Sequence, residues 1–362
     1  MGVSGAALLC ERAVARGLRI GWRVSAGGGS RFFKTADGEI AINLARSDDR
    51  EVLPALFEDA GFKVTDDVAI ADRMRRATSG HIVERGRCLG LAIAGTDEAV
   101  SVPARTVLAE GPPRTGAPGQ MRVLDLSALW AGPLAANLLH LAGAEVIKVE
   151  SASRPDSMRS GDPDLFARLN GGKKSVCVDL ARPGGAEQLR QLIDWADIVI
   201  EAARPRALRQ LGILAETLVA SRPGLVWITI TGHGAQGAQA DWVAFGDDAG
   251  VASGLSAEAR RITGEAGFVG DAIADPLTGI AAASAAMRQW RSGHGARIAL
   301  AMRSVVAEAW TQAQRQDPEH WHGTIQSWAA RSGEPFPGVS LRAHGPVSPR
   351  GSDTNDVFAA LA

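Results

Sequence analysis

The chain has 362 residues, 46% of them hydrophobic and 22% charged, with a formal net charge of −1. That length allows two domains with separate cores, and the balanced charge leaves no overall footprint for nucleic acid or an anionic membrane surface. No run approaches the ~20 consecutive apolar residues of a membrane span, and Cys10, Cys88 and Cys177 share no metal-ligand or redox spacing, so a cytoplasmic protein with reduced thiols and no membrane or nucleic-acid partner is expected.

Apolar residues 5–9 are followed, not preceded, by Glu11, Arg12 and Arg16, which is the wrong order for a secretory leader. Residues 6–17 have helical periodicity and 18–24 an extended composition. Next comes Ser25-Ala26-Gly27-Gly28-Gly29-Ser30, whose three glycines fit either a flexible linker or a loop that bends sharply against a ligand. Strand-like residues 31–35 and 39–45, joined by Asp37-Gly38, predict a β-hairpin. Helices at 48–60, 69–78 and 81–89 and a returning strand at 91–94 complete a small α+β domain over residues 1–102.

Residues 103–120 are dominated by Pro, Gly, Ala and Arg, the composition of an exposed linker. Beyond it, apolar strand runs at 123–126, 146–149, 175–179, 198–200 and 225–230 alternate with helical segments. This spacing predicts a Rossmann-like domain over 121–314, with a mostly parallel sheet between helices. The turn after its first strand, Ser127-Ala128-Leu129-Trp130-Ala131-Gly132-Pro133, lacks G-x-G-x-x-G, so NAD or FAD in the usual mode is not expected. A ligand at the carboxyl ends of the strands still is. His233 stands in such a loop, as a pocket residue or a plain loop histidine. Residues 315–362 read as an irregular tail, in which His320 and His322 are surface residues of a loop without a third metal ligand. Nine tryptophans and no tyrosine remove tyrosine from any mechanism.

Asp275 precedes Pro276 and an apolar run reaching Met287, which predicts an N-cap Asp with Pro at the first helical position. Capping is the commoner role of such a residue. The same place keeps a carboxylate ionised and therefore usable as a nucleophile.

Five blocks between Val123 and Gly279 resemble the family III CoA-transferases, the group that includes formyl-CoA and carnitine CoA-transferases and the related α-methylacyl-CoA racemases. They are Val123-Leu124-Asp125-Leu126 with Ala131-Gly132-Pro133; Gly143 through Glu150; Lys173-Lys174-Ser175 with Val178-Asp179-Leu180; Ala196 through Glu201 with Arg204-Pro205; and Gly270 through Gly279. The resemblance implies an acyl-CoA:carboxylate CoA-transferase in which Asp275 is the covalent nucleophile, first as a mixed anhydride and then as an aspartyl-CoA thioester. Coenzyme A thioester and a carboxylic acid acceptor are then the substrates, with no metal or redox cofactor. Ala131, Gly132, Lys173, Arg204, Gly232 and His233 become candidate CoA-binding residues. Gly27, Gly28 and Gly29 resemble the family's glycine-rich flap, although the flap and its hairpin here precede the Asp-bearing half, as in a permuted order. A homodimer is implied, since members form interlocked dimers.

The chain also departs from the family pattern. Trp130, Ser151, Ala202-Ala203 and Gln210 replace CoA-pocket residues, which keeps open a degenerate subunit that only binds CoA esters. A racemase of the same fold would need a His–Asp pair, and Phe245 occupies the place of that histidine.

Overall fold

The Asp37-Gly38 turn closes a hairpin in which β1 (Ser30–Lys34) and β2 (Glu39–Asn43) pair antiparallel, Lys34 opposite Glu39. β3 (Ala92–Gly95) pairs antiparallel with β2, giving the order β1-β2-β3. These details come from a computed structural model that describes residues 3–361 apart from the side chain of Pro205. Residues 1, 2 and 362, at the ends of the expected first domain and tail, lie outside the described residues.

The two-residue period of the strands sends side chains to both faces of this small sheet. Phe33, Ile40, Ile42 and Ile93 pack on one face against Leu53, Leu56, Ile70, Met74 and Ile82, which come from the helices Leu53–Leu56, Asp67–Met74 and Ser79–Cys88 and their surroundings. Phe32, Ala41 and Ala94 pack on the other face against Val251, Ala252, Ala266 and Phe268. A sheet apolar on both faces must be covered on both. That requirement draws residues distant in sequence into the N-terminal part.

Packing accordingly divides the chain into two units. The first gathers Met1–Ala104, Gly232–Asp275 and Ala301–Leu341; the second gathers Arg105–Thr231, Pro276–Leu300 and Arg342–Ala362. Residues 232–275 and 301–314, which strand alternation assigned to the sheet domain, therefore group with the N-terminal residues.

The second unit is built on a seven-stranded sheet of β4 (Arg105–Pro113), β5 (Arg122–Asp125), β6 (Glu145–Ser151), β7 (Lys174–Val178), β8 (Ile198–Glu201), β9 (Val226–Thr231) and β10 (His294–Ala301). Its order is β4-β10-β9-β8-β5-β6-β7. β5 pairs parallel with β6 and β8, β6 with β7, and β8 with β9. The chain leaves β5 towards one edge and returns at β8 on the other side, the reversal that opens a crevice at the carboxyl ends of a doubly wound sheet.

Two further segments differ from their sequence reading. Residues 105–113 are an edge strand antiparallel to β10, not linker. Pro112 and Pro113 are tolerated because an edge strand leaves one row of donors unused. The tail carries helices Pro318–Ala330 and Thr354–Leu361, and the first of these contains His320 and His322, which are not in a loop. Asp317 opens it by accepting the His320 N–H. On the opposite edge of the sheet, Asp353 Oδ2 accepts the Ser175 N–H at 2.7 Å and Thr354 Oγ1 the Cys177 N–H at 3.0 Å. The tail thus covers part of β7's open edge.

Candidate active site

Asp275 is the second residue of helix Ala274–Ser292, two positions past the N-cap place that its sequence predicts. The cause lies just upstream. Ala272 sits in the left-handed region at φ 44, and its carbonyl accepts the Asp275 N–H at 2.9 Å, so the chain turns into the helix before Asp275 is reached. The half-buried carboxylate is still in the first turn, where unpaired N–H groups and the helix dipole favour negative charge. A Cβ at position 246 would collide with Asp275 Oδ2 and the Ala272 carbonyl, so only glycine allows this approach.

Asp271 precedes that turn, Asp247 bonds to it, and Asp248 follows Asp247 in the first unit. The Ala272 N–H donates to Asp247 Oδ1 at 3.1 Å. Arg12 Nη1 pairs with buried Asp271 at 2.7 Å, and its other amino group lies 3.3 Å from where a Gly27 Cβ would be. Removal from water raises the pKa of Asp247, with the Ser25, Ser30 and Arg12 contacts opposing. Burial pushes Asp248 well above the carboxylate range, against its bond from the Phe245 N–H and with Asp247 adding to the rise. The Cys10 thiol is pushed up by burial and by Asp271. Gly27, in the glycine turn, thus lies beside the Arg12 that pairs with Asp271 of the Asp275 turn. Gly28, at φ 76, has open space where a side chain would point.

The second unit fixes a different loop, the one after β5 at the reversal of strand order. Asp125, fully buried at the end of β5, accepts the Ser127 N–H at 3.1 Å, the Ser127 hydroxyl, and Lys173 Nζ at 2.8 Å. Lys148 Nζ donates to the Ser127 carbonyl at 3.0 Å and pairs with Asp156 at 2.9 Å. The Leu129 N–H reaches Asp156 at 3.3 Å, which holds Leu129 at φ 68. A residue with a side chain is kept in that region only by surroundings that over-determine it. Burial works to raise Asp125, and the Lys173 and Lys148 ammonium groups outweigh it. Burial lowers Lys173 to about 8 against the attraction of Asp125.

This arrangement corrects the reading of Lys173 as a CoA-binding residue. Its three protons go to Asp125, the Pro133 carbonyl at 2.9 Å and Asn170 at 3.0 Å, and nothing remains for a ligand. Ala131 and Gly132 open helix Ala131–Leu141 and are buried. A Cβ on Gly132 would collide with Ser127, and one on Gly279 would come within 2.8 Å of the Ala131 carbonyl. Arg204 is exposed ahead of helix Pro205–Gln210. In the first unit, Gly232 has no room for a Cβ against Ala244, and its carbonyl accepts the Arg303 N–H at 3.1 Å. His233 does not line an open surface. It is fully buried, neither ring nitrogen has a hydrogen-bond partner among the described residues, and the ring meets Trp242 edge-on at 5.4 Å. Burial and the nearby Arg87 and Arg303 cations lower it to about 3.

The first unit thus holds Asp275, the glycine turn, Gly232 and His233; the second holds Ala131, Gly132, Lys173 and Arg204. Asp247, Asp248 and Lys148 were not singled out from sequence. Their signal was present: two consecutive acids within an Ala/Gly/Val stretch, and a lysine inside an apolar strand, are charges where burial is expected. Among the described residues no group of three or more His, Cys, Asp or Glu side chains is arranged to hold a metal ion, and no helix is long and apolar enough to cross a membrane.

Residues 119–335 match the family described as CoA-transferase family III. Succinate--glutarate CoA-transferase of Agrobacterium fabrum is 32% identical over 54% of this chain and 52% of its own length. Succinyl-CoA--D-citramalate CoA-transferase of Chloroflexus aurantiacus is 35% identical over 48% of this chain and 46% of its own length. The chain therefore spans about half the length of these curated relatives. The crystal structure of the hypothetical protein Rv3272 from Mycobacterium tuberculosis superposes with a TM-score of 0.47 at 29% identity, over 57% of this chain and 59% of that one.

Proposed function

The chain belongs to CoA-transferase family III, and from that premise we propose that it exchanges coenzyme A between carboxylates with Asp275 as its covalent nucleophile. The observation that carries this reading is the placement of Asp275: a half-exposed carboxylate in a helix's first turn, reached through a strained residue and seated on a glycine that leaves room for it.

The proposed steps balance without an outside oxidant or metal. The Asp275 carboxylate attacks the thioester carbonyl; the C–S bond breaks with its electron pair on sulfur, leaving a mixed anhydride and CoA thiolate. The thiolate attacks the aspartyl carbonyl and releases the donor acid as carboxylate. The acceptor carboxylate then attacks the aspartyl-CoA thioester, and the displaced thiolate returns to the acceptor's acyl carbon, regenerating Asp275. Each step exchanges a thioester for an anhydride or the reverse, so covalent catalysis replaces one difficult displacement by several easier ones. The fixed loop after β5, with Ala131, Gly132 and Arg204, is proposed to take the CoA nucleotide. Relatives named for succinyl, glutarate and citramalate transfer make small dicarboxylic acids the first acceptors to assay.

A racemase is disfavoured on two counts: Phe245 stands where its base would be, and His233 is buried and neutral. We further propose a cytosolic homodimer presenting the small domain first, to be tested by light scattering after size exclusion. For the chemistry, the protein would be incubated with succinyl-CoA, quenched with hydroxylamine, and the peptide carrying Asp275 examined by mass spectrometry. A hydroxamate on Asp275, absent from Asp275→Asn, supports the reading. CoA-ester binding with no adduct and no exchange across a panel of acids would instead make the chain a binding subunit.

A further inference from the structure

Gly27 and Gly28 are glycine for different reasons. Gly28 stands at φ 76, which favours glycine whatever surrounds it. Gly27 lies outside the left-handed region, and what it lacks is room: a Cβ there would meet Arg12 Nη2 at 3.3 Å and Nη1 at 3.8 Å. The Arg12 guanidinium thus rests where a side chain of residue 27 would begin. The turn takes its shape from its own bonds, the Ser25 N–H to the Ser30 carbonyl at 2.9 Å and the Gly28 N–H to the Ser25 carbonyl at 2.8 Å. Arg12 comes from helix Gly5–Ala15, whose Ala13 packs with Ile20 and Phe336, so the base of its side chain is fixed. Its Nη1 donates to buried Asp271 at 2.7 Å. Asp271 leads into Ala272 at φ 44, whose carbonyl accepts the Asp275 N–H at 2.9 Å. An alanine keeps that conformation only under external constraint.

We propose that Arg12 is a positioning residue that clamps the glycine turn to the chain leading into Asp275, its guanidinium paired with Asp271 and seated on Gly27. The proposal rests on the reading of Asp275 as nucleophile for its kinetic consequence, though not for its geometry. A guanidinium suits the task because its amino groups share one rigid plane, so fixing one on Asp271 fixes the other against Gly27; an ammonium offers a single point. Asp271 holds its end firmly, since a buried carboxylate is costly to leave without its cation. The clamp reaches Asp275 through the backbone of residues 271–275, and misplacing a reacting group by about 1 Å costs on the order of 100-fold in rate.

The test is a cycle of whole-protein variants, Arg12→Ala, Gly27→Ala and the two together, with Arg12→Lys and Gly28→Ala as comparisons. Where Arg12→Ala does not fold, Arg12→Lys takes its place in the cycle. The first measurement is amide hydrogen exchange without ligand, read in peptides covering residues 22–33 and 268–276. Arg12→Ala is expected to accelerate exchange in both, and Arg12→Lys, which keeps a cation for Asp271, to restore protection mainly in the second. Gly27→Ala is expected to accelerate both, and to add nothing once Arg12 has been replaced. Unchanged protection of either peptide in the Arg12 variant overturns the proposal. The second measurement is turnover of succinyl-CoA with glutarate. Arg12→Ala is expected to lower kcat on the order of 100-fold with KM for succinyl-CoA within about twofold of wild type, and Arg12→Lys to recover about tenfold. Gly27→Ala should lower kcat about tenfold alone and less than about twofold on top of Arg12→Ala. Gly28→Ala, strained in its own backbone, should act by the same factor in both backgrounds. Losses from Gly27→Ala and the Arg12 variant that simply multiply overturn the proposal, as does wild-type kcat in Arg12→Ala where Asp275→Asn is inactive. If the wild type forms no Asp275 adduct with succinyl-CoA, the transferase reading fails with that probe, and the exchange cycle alone decides whether Arg12 clamps the two segments.

Discussion

The Asp275 carboxylate lies over the α-carbon of Gly246, in space that the first carbon of any other side chain would occupy. Gly246→Ala must therefore displace Asp275 or the Ala272 carbonyl. Overpacking of this kind costs about 1–3 kcal/mol, and, with Asp275 in the role proposed for it, the expected result is a loss of at least about tenfold in kcat from a misplaced carboxylate. Steady-state turnover and urea denaturation of the same preparation check both. Full activity in Gly246→Ala would show that the carboxylate does not need this seat.

Lys173 and Arg204 should separate cleanly. Lys173→Met leaves Asp125 buried with its nearest cation gone, and breaking a buried pair from one side costs about 3–5 kcal/mol. Arg204→Ala removes an exposed charge and should change stability by less than about 0.5 kcal/mol, while raising KM for the CoA ester. Denaturation midpoints and KM values for both variants decide. A stable Lys173→Met with a raised KM would return Lys173 to the role of a CoA-binding residue.

His233 makes the fold acid-sensitive. Its pKa is about 3 in the folded chain, so between there and the ordinary value of 6.5 only the unfolded chain binds the proton. The stabilisation is complete above about pH 6.5 and is lost as pH falls towards 3, at about 1.4 kcal/mol per pH unit on the steep part. From pH 7 to pH 5 this amounts to about 2 kcal/mol. His233→Leu removes two unpaired buried nitrogens, so it should be no less stable at pH 7 and should lose this part of the acid limb. Urea titrations at the two pH values test it, and an unchanged slope in His233→Leu would rule out His233 as the source.

The tail should stabilise the sheet through its edge. Asp353→Ala deprives the Ser175 N–H of its 2.7 Å acceptor, at an expected cost of about 1–2 kcal/mol, and the double variant with Thr354→Ala exposes two donors of β7. Increased self-association of the double variant, followed by light scattering at rising concentration, is the expected outcome.

Much of this protein was decided locally. Asp37-Gly38 specified the hairpin, the apolar runs around Leu124, Ile147 and Val199 specified buried parallel strands, and Asp275-Pro276 marked a helix start to within two residues. Turn chemistry and hydrophobic period act over a few residues, so sequence carries them directly. Partner choice does not work that way. Whether Lys173 meets a ligand or Asp125 depends on β5 and β7 lying on either side of β6; whether 105–113 is linker or strand depends on β10 arriving beside it; and whether residues 232–275 belong with the sheet domain or with the N-terminal residues depends on the second face of the small sheet that they cover. Those outcomes follow from burial and pairing between distant segments, which only the tertiary structure decides.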